Sequence, residues 1–132
     1  MLLLHLVACA AGSAPLGSIA GCPASPNCVS TAAPATDAQH YAPPLVYEGD
    51  LAAAKARMKA IVAAMPRTAL VAESESALRF TFTSKLLRYV DDVDIVFADG
   101  RVEYRSASRV GYGDMGVNRA RVDAIASAWA AR

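Results

Sequence analysis

The run Arg105–Arg121 reads R-S-A-S-R-V-G-Y-G-D-M-G-V-N-R-A-R and gathers the side chains of this chain best suited to chemistry. Arg105, Arg109, Arg119 and Arg121 stand among three glycines, two serines, Asp114 and Asn118, just ahead of an apolar helical pattern. Guanidinium forks beside the free N–H groups of a helix start form an anion site, and glycines let backbone approach such a ligand closely. Arg119 and Arg121 fall in the first helical turn, where the macrodipole favours acidic residues. Two arrangements offset that mismatch. Asp92, Asp94 and Asp114 fold against the arginines as an internal ion network, or an external anion binds there. The network is the more economical reading, because both signs of charge are local; the two coexist if one fork stays unpaired. Arg105 is committed to Asp94. Arg109, Tyr112, Asn118, Arg119 and Arg121 are then the candidate surface for a ligand or partner, with Tyr112, between two glycines, as its exposed aromatic.

Catalytic readings of the same residues are thinner. Ser106 and Ser108 are candidate hydroxyls and Asp114 could orient a base, but the chain has only His5 and His40. His5 falls in the leader, and His40, before Tyr41-Ala42-Pro43-Pro44, reads as an ordinary surface or packing residue. Asp92 with Asp94 could do acid–base work, although two aspartates opposite Arg105 are more simply an ion-pair set. No phosphate-binding glycine loop, dinucleotide fingerprint or H-E-x-x-H is present, and no cofactor or metal is expected.

The elements that must position these groups can be read from periodicity. Asp50 caps a helix over about 51–65, with Leu51, Ala54, Met58, Ile61, Val62 and Met65 on one stripe and Pro66 ending it. A short strand spans Thr68–Glu73. Leu78, Phe80 and Phe82 alternate with Arg79, Thr81 and Thr83 as a half-buried strand; Lys85–Val90 either extends it or loops out. Val93, Ile95 and Phe97, the turn pair Asp99-Gly100, and Val102, Tyr104 and Ser106 form a hairpin with a type I′ turn. Its register sets Phe97 opposite Val102, Ile95 opposite Tyr104 and Asp94 opposite Arg105, with Asp92 on the same face. Asn118 is the expected N-cap of a final helix to about Ala131, burying Val122, Ile125, Ala126 and Trp129. The expected fold is α+β: a four-stranded antiparallel sheet with an N-terminal and a C-terminal helix packed on one face.

Ahead of this domain, residues 1–20 differ in character. The apolar run Leu2–Ala11 is too short to span a bilayer and fits the core of a signal peptide, without the usual basic residue before it. Leu6-Val7-Ala8-Cys9 is similar to a lipoprotein signal in which Cys9 would be lipidated; the alternative is a cysteine in a leader that is cleaved away. Residues 21–47 form a Pro/Ala-rich arm, and 48–132 the α+β domain. Cys22 and Cys28 enclose C-P-A-S-P-N-C, whose prolines and Asn27 allow the ends to meet. A disulfide suits an exported chain, and the five-residue spacer matches neither redox nor zinc spacing.

With 132 residues, 55% apolar and a net charge of +1, the chain is sized for one domain and carries no broad nucleic-acid footprint.

C-P-A-S-P-N-C-V-S-T (Cys22–Thr31), D-D-V-D (Asp91–Asp94) and S-A-S-R-V-G-Y-G-D-M-G-V-N-R-A-R (Ser106–Arg121) resemble, in order, domain-of-unknown-function family 1499. Its members are small, mostly bacterial proteins, often exported or lipid-anchored. Asp94 stands where many members carry Glu. The resemblance implies one domain in which the cysteine pair and the basic loop are one pattern; it brings no activity. The expectation is an uncharacterised module exported to the periplasm or cell envelope, touching membrane only through a lipid at Cys9. It would bind an envelope protein or small anionic ligand without catalysis. The alternative is a small hydrolase or transferase using Asp92, Asp94, Ser108 or Asp114.

Overall fold

The computed structural model describes residues 14–131, so residues 1–13 of the leader, with His5 and Cys9, lie outside the described residues. The order of elements is β1 (Cys28–Ser30), β2 (Leu45–Val46), α1 (Leu51–Ala63), β3 (Thr68–Ser74), β4 (Ala77–Thr83), β5 (Val90–Ala98), β6 (Arg101–Ser108) and α2 (Val117–Ala130). The fold is α+β, with an antiparallel sheet of six strands rather than four. The arm supplies the extra two. Both β1 and β2 pair with the free edge of β6, through Cys28↔Ala107 to Ser30↔Arg105 and through Leu45↔Val102. Each is too short for an alternation to show in sequence, and each forms because β6 presents unpaired backbone groups. Helix placement also differs from expectation: α1 follows two strands instead of opening the fold.

The longer elements follow their periods. Asp50 caps α1, its carboxylate accepting from Ala53 N at 3.2 Å. Ala54, Met58 and Val62 of α1 and Val122, Ile125 and Trp129 of α2 join one core with Leu78, Phe80, Phe82, Val93, Ile95, Phe97, Val102 and Tyr104. The β5–β6 register is the expected one, Phe97↔Val102, Ile95↔Tyr104 and Asp94↔Arg105. The turn is a different type. A type I′ turn needs positive φ at both central residues, and only Gly100 has it, at 69°. The left-handed region strains Asp99 more than glycine, so Asp99 stays out of it. Residues 84–89 loop out between β4 and β5.

Alternation gives the sheet two unlike faces. One carries the apolar core and, at its end, Asp91, Ser106 and Ser108. The other carries Arg79, Asp92, Asp94 and Arg105. This face lies under the stretch where the leader meets the arm: Arg79 Nη2 donates to Ala14 O, and Arg105 Nε donates to Gly21 O at 3.0 Å.

Candidate functional site

Asn118 is not the N-cap of α2. It lies one residue inside the helix, fully buried, and its side chain is a hub. The Ser106 hydroxyl and Arg121 Nη1 donate to its Oδ1 at 2.7 and 2.9 Å. Its Nδ2 donates to Asp114 Oδ2 at 2.8 Å, Ser108 Oγ at 3.0 Å and Asn27 O at 3.2 Å. The capping work falls to Asp114, which accepts from the backbone N–H of Gly116 at 2.9 Å and of Asn118 at 3.0 Å. A carboxylate at the helix start also complements the dipole that the arginines oppose. Burial pushes the Asp114 carboxyl up, but the N–H bonds from Asn118 and Gly116 outweigh it and hold the group below its ordinary range.

The arginines do not converge. Arg121 pairs with Asp91 at 2.9 Å on the core side, donates to Ser106 Oγ at 3.1 Å and stacks 4.3 Å from the Phe82 ring. Arg119 turns to the arm and donates to the carbonyls of Ala38, Gln39 and Tyr41, the last at 2.9 Å. Arg109 forks Asp92 through two bonds of 2.9 Å on the opposite sheet face. Asp94 takes Arg79 at 2.5 Å, not Arg105. Arg79 and Arg105 are both its cross-strand neighbours, and Arg105 is drawn instead to Gly21 O. Burial raises the Asp94 carboxyl despite Arg79, and burial lowers the Arg105 pKa. The expected single meeting point of arginines and aspartates is therefore two networks, split because successive strand residues face opposite ways. Arg79 was legible, since it alternates onto the Asp94 face. Asp91 was legible as a carboxylate in phase with Val93 and Ile95, where a charge requires a partner.

Asn27 is the residue the sequence reading undervalued. Cys22 and Cys28 are disulfide-bonded, with Cα atoms 5.7 Å apart. Inside that ring, Asn27 Nδ2 donates to Gly111 O at 2.9 Å, and Asn27 O accepts from Ser108 N at 3.0 Å and from Asn118 Nδ2. The cysteine ring thus holds the basic loop, so the two motifs form one physical unit. His40 is more than a packing residue: it is buried, with Nδ1 2.7 Å from Asp37 Oδ2 and Nε2 2.9 Å from Ser25 O. Hence His40 ties the ring to the stretch that Arg119 grips.

Besides Arg109, which stays half-exposed while bound to Asp92, what remains outward on the loop is apolar. Val110, Tyr112, Met115 and Val117 are exposed, Tyr112 at 73%. Among the described residues no group of three His, Cys, Asp or Glu could hold a metal ion, and every buried side-chain polar atom has a partner. A cavity of about 750 Å³ lies at the other end of the sheet, lined by Leu45, Val46, Tyr47, Ala54, Arg57 and Trp129. None of the candidate residues reaches it.

Residues 18–128 match the family model described as "Protein of unknown function (DUF1499)", and the chain belongs to that family. No curated protein and no solved structure matches it.

Proposed function

We propose that this member of the family is a non-catalytic binding module of the cell envelope, exported by its leader and held there by a lipid at Cys9. Its contact element is the loop between β6 and α2, which meets an extended partner surface. One observation carries this reading: the Arg109, Arg119 and Arg121 guanidinium groups are bound within the chain, while Val110, Tyr112, Met115 and Val117 of the same segment face outward. A small anion would need a free fork; an extended surface needs exposed apolar and aromatic contact area. The polar network has a supporting role here, holding the loop in one conformation so that less ordering is required on contact.

The reading predicts separable effects. Tyr112→Ser with Met115→Ser leaves the fold intact and abolishes partner contact, whereas Arg121→Ala destabilises the fold, because Asp91 is then buried without its cation. Incorporating a photo-reactive phenylalanine analogue at Tyr112 in the native envelope tests the contact. Crosslinks to another envelope component, protein or lipid, support it. A correctly folded chain that crosslinks to nothing there overturns it.

A further inference from the structure

Two loops share one end of the sheet. Residues 84–89 leave and re-enter at Thr83↔Val90, and β6 ends beside them at Asp91↔Ser108, with Arg109 N donating to Val90 O at 3.2 Å. Most of the large apolar side chains exposed in the described residues gather here: Leu86, Leu87, Tyr89, Val110, Tyr112 and Met115. Leu86 is 87% exposed and Met115 wholly so. Both loops hold a non-glycine residue in the left-handed region, Arg88 at φ 56° and Met115 at φ 54°. Such strain is sparsely tolerated in L residues and gathers where a loop serves something besides stability.

The charges at this tip decide what it fits. Lys85 and Arg88 bracket Leu86-Leu87 and pair with no carboxylate among the described residues. The nearby acidic groups are each engaged within the chain, Asp91 by Arg121, Asp92 by Arg109 and Asp114 by the start of α2. The outward field is therefore cationic around apolar tips. Protein interfaces deplete lysine from their cores. A bilayer surface wants this combination: apolar and aromatic groups for the headgroup–acyl boundary, and cations at phosphate level.

We propose that this tip docks on an anionic membrane surface, with Leu86, Leu87, Tyr89, Tyr112 and Met115 entering the headgroup region and Lys85 and Arg88 binding lipid phosphates. The inference deepens the reading of the loop before α2 as a contact surface and rests on it. It adds a contact that a lipid on the leader alone would not supply.

The test is cosedimentation of the full chain carrying Cys9→Ser, so that no acyl group contributes. The vesicles are phosphatidylcholine alone, or phosphatidylcholine with about 30% phosphatidylglycerol, at about 0.1 M and 0.5 M salt. The expected result is binding to the anionic vesicles only, weakened by salt. Leu86→Ser with Leu87→Ser, and separately Lys85→Gln with Arg88→Gln, should each reduce it by at least about tenfold. Arg101→Glu, at the opposite end of the sheet, controls for net charge and should bind like the parent. Matching thermal melts show that the variants are folded. No binding of the parent, or equal binding by all variants, overturns the proposal. Crosslinks from position 112 to an envelope protein, without vesicle binding, also overturn it while leaving the loop as a contact surface.

Discussion

Asn118 shows at the scale of one residue why the polar segment is specific. A buried amide can accept and donate at once, and here both ends are used, by Ser106 and Arg121 on one side and by Asp114, Ser108 and Asn27 on the other. Asn118→Ala leaves several of these groups buried without partners and should cost about 3 kcal/mol, read as a lower denaturant midpoint at unchanged slope. His40 faces two acceptors, so only its doubly protonated ring can donate to both. The Ser25 carbonyl and the Asp37 carboxylate raise its pKa above the ordinary 6.5, against burial and the Arg119 charge. His40 in turn holds Asp37 below its ordinary 3.8. The stabilisation from His40 is complete below the unfolded pKa and lost as pH rises through the raised folded value. That from Asp37 is present above its unfolded pKa and lost as pH falls through the depressed one. Unfolding measured upward from about pH 6 should show falling stability in the parent and a flatter profile in His40→Gln. Parallel profiles would reject this role for His40.

Among the elements, the cysteine ring matters through what it positions. Its short loop closure stabilises the chain by about 2 kcal/mol on the chain-entropy model. Its second effect is local, since Asn27 bonds Gly111 O, Ser108 N and Asn118 from within the ring. Cys22→Ser with Cys28→Ser should therefore lower stability by about that amount and also speed amide exchange at Ser108 beyond the global change. Exchange that rises uniformly would mean that the ring does not hold the loop. The β5–β6 hairpin was legible because a two-residue turn and strict alternation fix its register. Strands β1 and β2 were not, because three residues and two residues carry no period.

Over the whole molecule, the arm is a structural part of the sheet. It supplies β1 and β2 to the free edge of β6 and, through Gly21 O, an acceptor for Arg105 on the polar face, while Ala14 O, ahead of the arm, accepts from Arg79. Tyr104 depends on it too: its hydroxyl donates to Pro43 O at 2.7 Å, and burial pushes its pKa up to about 12. A chain begun at residue 48 keeps both helices and the four long strands but exposes that edge and leaves these donors unmatched. It should lose the dispersed amide spectrum of the full chain and become aggregation-prone. A well-dispersed, monomeric spectrum would show that the arm is dispensable.

Local chemistry carried much of this protein. Two helices, four strands, the hairpin register, the cysteine pairing and the two polar motifs follow from periods, caps and spacings within a few residues of one another. Partnership across the chain did not follow. Asp94 has two cross-strand arginines of equal standing, and its choice of Arg79 was fixed when Gly21, far away in sequence, supplied an acceptor for Arg105. Likewise the arginines separated onto two sheet faces, and the apolar residues of two distant loops met at one end, because packing sums contacts that no local window contains.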